Sequence, residues 1–131
     1  MSVGEALVSV DEVLPRRPVA VRRARALASD ALGATGPEPH DGLALVITEL
    51  VANAVRHGRG RRMRLRLVTY DGGVRVEVEN RCWHTMPRRR LLTESQPDGR
   101  GLALVAACSR SWGIEHAARG RTRVWAEVVR P

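Results

Sequence analysis

The chain contains no lysine and no phenylalanine, and its aromatic side chains are Tyr70, Trp83, Trp112 and Trp125 alone. Without lysine, a Walker-type phosphate loop and Schiff-base chemistry are both excluded, because each needs that amine. Without phenylalanine, the 44% of hydrophobic residues must build a core of Leu, Val and Ala. Cysteine is scarce too: Cys82 and Cys108 are too few for a disulfide framework, and both are expected as thiols. Cys82 and His84 lie close together, but two ligands do not make a four-ligand zinc site. No apolar run approaches membrane-spanning length, and Met1 to Val10 lacks a basic flank followed by an apolar stretch. The protein is therefore expected in the cytoplasm, away from membranes. No repeat or interdomain linker appears, so residues 1–131 read as one domain, long enough to bury roughly two thirds of its unfolded surface.

What the chain has in excess is arginine. All 22 basic residues are Arg against 14 acidic ones, which gives a formal net charge of +8. Such a surface suits acidic partners: a nucleotide, a nucleic acid or an acidic protein face. No Ser stands in a GxSxG turn, which sets aside triad hydrolysis.

Hydrophobic periodicity yields alternating helices and strands. Glu5 to Val10 alternates as a first strand with Ala6, Val8 and Val10 on one side, ended by Pro15. Pro18 opens a helix to about Leu32 with a stripe of Val21, Ala24, Ala28 and Leu32. Gly33 to Pro39 is a connection, and Asp41 caps a second helix to about Arg56, stopped near Gly58. Arg62, Arg64 and Arg66 alternate with Met63, Leu65 and Leu67, Asp71-Gly72-Gly73 turns the chain, and Val74, Val76 and Val78 return as a strand. Arg81 to Asp98 is a long loop, a length that suits a lid. A third helix from Gly99 to about Ser109 places Leu102, Val105 and Ala106 on its apolar side. Trp112 to His116 and Thr122 to Val129 close the sheet around Gly120. The expected architecture is α+β, a two-layer sandwich with a mixed, mostly antiparallel sheet, helices on one face and the Arg row on the other.

Two motifs bear chemistry. Glu49 and Asn53 are four apart on the second helix and project as neighbours, away from the stripe of Leu43, Ile47, Leu50 and Ala54. An Asn oxygen can join the shell of Mg²⁺, and a Glu can take a proton from an attacking hydroxyl; a solvated surface pair has the same spacing. Gly99-Arg100-Gly101-Leu102 at a helix start offers backbone amides and a dipole end to phosphate, although glycines also serve ordinary turns there.

The order of ELVANAVRHG, hairpin, long loop, GRGLALV and RTRVW resembles the GHKL (histidine kinase-like) ATPase superfamily, in its branch of anti-sigma-factor serine kinases and their actinobacterial relatives. The resemblance runs from the first helix to Trp125 and implies the Bergerat-type ATP-binding fold. It implies Glu49 as catalytic base, Asn53 as Mg²⁺ ligand, and Gly99 and Gly101 as phosphate-binding glycines. His57, Arg100 and Leu102 would lie near the pocket, Thr122 would place a hydroxyl beside the nucleotide, and residues 81–98 would form the ATP lid. ATP and Mg²⁺ are the implied cofactors. A sigma factor and an antagonist protein are the implied partners, met around Arg16, Arg17, Arg22, Arg23 and Arg25, and a homodimer is the implied assembly.

The family's DxGxG segment reads Asn80, Cys82 and His84 here. An Asn amide can still pair with an adenine edge, while loss of both glycines removes an easy backbone approach to the base. Three readings follow: an active kinase, a binding module of the same fold with weak or no ATP binding, and a nucleic-acid binder using Arg62, Arg64, Arg66 and Arg88 to Arg90. Few aromatics are available for base stacking, which disfavours the last.

Overall fold

A computed structural model describes residues 6–35, 41–81 and 101–129. Among the described residues, three α-helices and five strands follow one another: β1 (Leu7–Pro15), α1 (Val19–Thr35), α2 (Asp41–His57), β2 (Arg59–Tyr70), β3 (Gly73–Arg81), α3 (Gly101–Cys108), β4 (Ser111–Ala117) and β5 (Arg121–Val129). The strands form one sheet in the order β1-β2-β3-β5-β4, and all four pairings are antiparallel. α1 packs on β1, α2 lies over β3 and β5 with α1 and α3 as its neighbours, and α3 reaches β4. The result is the expected sandwich, with the described helices on one face of the sheet.

Alternation explains which face is which. Met63, Leu65 and Leu67 of β2, Val74, Val76 and Val78 of β3, and Val124, Ala126 and Val128 of β5 are buried beneath the helices. Leu43, Ile47, Leu50 and Ala54 of α2 meet them, as the stripe predicts. In α1 the buried positions are Ala20, Ala24, Ala28 and Leu32, with Val21 only partly covered. Small alanines let α1 lie close to its neighbours, so the absence of large aromatics is met by close approach rather than by bulk.

Three expectations need correction. The first strand extends to Pro15, and a bulge between Val8 and Val10 puts these two on opposite faces, so Val10 is 6% exposed and Val8 47%. Pro15 is the strand's last residue; an edge position tolerates its missing N–H. In α3, Val105 is buried but Ala106 is exposed. At the hairpin, Gly72 takes φ 86, which its lack of a side chain permits.

The opposite sheet face carries a lattice of ion pairs. Arg64 forms a two-pronged pair with Asp11 at 2.7 Å on each oxygen. Glu77 receives Arg75 at 2.7 Å and Arg66 at 3.4 Å, while Glu79 receives Arg123 at 3.0 Å and Arg121 at 3.2 Å. Both glutamates are buried beneath these guanidinium groups, at 7% and 8% exposure. Removing such partners from a carboxylate that deep would leave its desolvation uncompensated. Trp125 lies over Gly113, where a Cβ would come within 2.9 Å of its ring, and Arg75 covers the ring at 4.3 Å.

Candidate functional site

The site is assembled from the last turns of α2 and the ends of β3 and β5. Asn80 and Thr122 are direct register partners on the helix-facing side of neighbouring strands. Both are buried, at 4% and 2% exposure. Among the described residues, Asn80 Nδ2 and Thr122 Oγ1 have no hydrogen-bond partner. Directly opposed side chains on such a pair lie about 5 Å apart, so the two unmet groups can touch one small molecule. Leaving a buried polar atom unmet costs about 1–3 kcal/mol, which is why native interiors rarely do so without a reason.

α2 comes down onto this pair. A Cβ at Gly58 would lie 2.6 Å from Asn80 Nδ2 and 2.5 Å from the Ala54 carbonyl oxygen, so only glycine fits between the helix end and the amide. The Gly58 N–H donates to the Ala54 oxygen at 2.9 Å and closes the helix. In the sequence Gly58 reads only as a helix stop. Its second role follows from the packing of α2 on β3, which no local pattern contains.

Asn53 lies one turn back on α2 and is 1% exposed, and Glu49, a further turn back, is half-buried. This corrects the expectation that the pair stands clear of the core. α2 is flanked by α1 and α3 and backed by the sheet, so Val46 and Val51 are buried too and little of its circumference meets water. His57, at the end of α2, is partly buried; burial, and then the nearby Arg56 charge, hold its pKa below the usual 6.5.

Gly101 begins α3, and α3 packs against α2, the helix that bears Glu49 and Asn53. The Leu102 backbone lies in the first turn of α3. Gly99, Arg100, the side chain of Leu102, Cys82, Trp83, His84, Arg88 to Arg90 and most of the expected lid, Arg81 to Asp98, lie outside the described residues.

Arg16, expected among the partner-facing arginines, binds backbone carbonyls within the fold. Its Nε donates to the Gly60 carbonyl at 2.6 Å and its Nη1 to the Val55 carbonyl at 2.6 Å, while its backbone N–H donates to the Arg61 carbonyl. A cation on the last carbonyls of α2 also meets the negative end of that helix. Arg16 thereby fixes where α2 ends, above Asn80.

This arrangement is decided by comparison with known sequences. The sequence model of the histidine kinase-like ATPase domain matches residues 14–127. The chain belongs to this family. No curated protein matches the sequence closely enough to supply a relative. Membership in the histidine kinase-like ATPase family implies a nucleotide site, and the unmet groups of Asn80 and Thr122 fit one: an amide and a hydroxyl can both pair with a base edge. Among the described residues no three His, Cys, Asp or Glu side chains gather to hold a metal. Mg²⁺, which prefers one or two protein oxygens together with phosphates and water, fits the Asn53 amide oxygen on those terms. No described helix is long and apolar enough to cross a membrane.

Proposed function

We propose that this histidine kinase-like ATPase domain is an ATP-dependent regulator of transcription, which sequesters a sigma factor and phosphorylates a serine of an antagonist protein. The observation that carries the reading is the buried, register-paired Asn80 and Thr122 with unmet polar atoms beneath the end of α2. In this reading Asn80 and Thr122 hold the base. Asn53 contributes one oxygen to Mg²⁺, which would neutralise phosphate charge. The amides from Gly99 to Leu102, with Arg100, hold the phosphates. His57 lines the site at the end of α2.

Glu49 accepts the proton of the attacking serine hydroxyl as its oxygen bonds to the terminal phosphorus and the bond to the ADP oxygen breaks. Partner recognition falls to α1, where Arg22 and Arg25 line a groove of about 920 Å³ together with Val19 and with Ala44 of α2. Arginine recognises carboxylates bidentately, so an acidic partner surface suits this groove. A homodimer accompanies the reading.

A second reading keeps the fold and drops the catalysis. Asn80 stands where an aspartate would accept the adenine amine, and Cys82 and His84 stand where glycines would admit the base. The protein would then act through protein contacts alone.

Thermal shift with ATP, ADP and GTP, each with and without Mg²⁺, separates the two, since a ligand of the native state raises the melting temperature. The kinase reading expects the largest rise with Mg-ATP or Mg-ADP; no rise with any nucleotide favours the module. Labelled Mg-ATP added to an extract of the source cells should mark a second protein with the wild-type chain and not with Glu49→Ala. Equal labelling by the two would remove the base assignment.

A further inference from the structure

β2 and β3 part company at one end of the sheet. Arg64 pairs with Glu79 and Arg59 with Arg81, so four residues of β2, from 60 to 63, stand opposite Asn80 alone. The extra residues bend β2 away from β3 while its pairing with β1 continues through Leu14↔Met63 and Pro15↔Arg62. Gly60, at φ 79, permits the bend. A cleft of about 690 Å³ opens at the split, the size of a small-ligand pocket.

Its lining is one-sided in charge: Arg61, Arg62, Arg64, Arg81 and Arg121 against a single carboxylate, Glu79. Glu79 is already engaged by Arg121 and Arg123, and Arg64 by Asp11. Arg61, Arg62 and Arg81 are exposed and form no ion pair with any described residue. The centre of the same face is neutralised by Glu77, Glu79 and Glu115. Beside the guanidinium groups stands Val13, 61% exposed and also part of the lining.

We infer that this cleft is a docking site for an acidic protein segment in which carboxylates alternate with aliphatic side chains, the carboxylates on Arg61, Arg62 and Arg81 and an aliphatic group on Val13. Guanidinium forks match carboxylates bidentately, and an exposed valine gains only from a partner that brings apolar surface. A nucleic-acid backbone would satisfy the arginines but leave Val13 uncovered. The one aromatic ring on this face of β5, Trp125, is sandwiched between Gly113 and Arg75 and offers no face for a base to stack on. The cleft shares no lining residue with the α1 groove, so it is separate from the partner groove proposed above, while Met63 and Asn80 at its base connect it to the helix side of the sheet.

The test is fluorescence anisotropy of the full chain with two labelled probes of equal charge, a peptide of alternating Glu and Leu and an oligothymidine. Wild type should bind the peptide saturably and more tightly than the oligonucleotide. Arg61→Gln/Arg62→Gln/Arg81→Gln should weaken peptide binding about tenfold, in line with the loss of three exposed charge pairs. Arg110→Gln/Arg119→Gln, at exposed arginines that line neither the cleft nor the α1 groove, should weaken it less than about twofold. Val13→Ser should weaken the peptide and leave the oligonucleotide unchanged. Melting temperatures report folding, and single Arg62→Gln and Arg81→Gln variants replace the triple if it melts early. Equal losses from the cleft triple and the Arg110/Arg119 double, tighter binding of oligothymidine than of peptide, or no peptide binding by wild type would each overturn the inference.

Discussion

Asn80 shows how one side chain can separate binding from stability. Its amide nitrogen is buried without a partner, so Asn80→Ala removes an unmet polar atom and should leave the melting temperature unchanged or slightly higher. The same change should weaken Mg-ATP binding about tenfold if the amide reads the base. Gly58→Ala should do the opposite kind of damage: its methyl would press on the Ala54 oxygen and the Asn80 amide, and overpacking of this sort costs about 1–3 kcal/mol in denaturant melts.

His57 supplies a pH signature. Its folded pKa lies below 6.5, so between the two values the unfolded chain binds a proton that the folded chain refuses. Its contribution to stability is therefore complete above about pH 6.5 and declines as acid takes the pH down toward the folded value. His57→Gln should flatten that decline when melts at mildly acidic and neutral pH are compared. An unchanged slope would assign the pH dependence to other groups.

At the scale of elements, the end of α2 is the hinge of the account. Arg16→Met should lose the two guanidinium bonds to the Val55 and Gly60 carbonyls and cost about 1–3 kcal/mol, since hydrogen bonds from a charged donor are worth more than neutral ones. Hydrogen exchange should speed up at the last turn of α2 before it does elsewhere.

The helix stripes, the β2–β3 hairpin and the closing strands were legible in the sequence, because periods of 3.6 and 2 register burial directly. The burial of Asn53 was not legible, since periodicity marks the most buried face of a helix and α2 is covered on more than one. Nor was the role of Arg16, whose partners are carbonyls distant in sequence, nor the bulge at Val8, which reverses a side chain without changing composition. Glu49, Asn53, Asn80 and Thr122 could be named from motif order, but that Asn80 and Thr122 lie side by side with unmet atoms depends on strand register.

For the molecule as a whole, charge divides by location. The sheet's open face locks most of its arginines into pairs, while those at the split end of β2 and on the outer side of α1 form no ion pair with a described residue. The helix side holds the polar groups of the nucleotide site inside an aliphatic core that reaches them from α2, β3 and β5. The central claim is that these groups meet one nucleotide, and calorimetric titration of the full chain with Mg-ATP tests it most directly, run beside Asn53→Ala and Asn80→Ala variants of confirmed melting temperature. The account predicts saturable one-site heat from the wild-type chain and an affinity about tenfold or more lower in each variant. No heat from the wild-type chain, or the same affinity in all three, would contradict it.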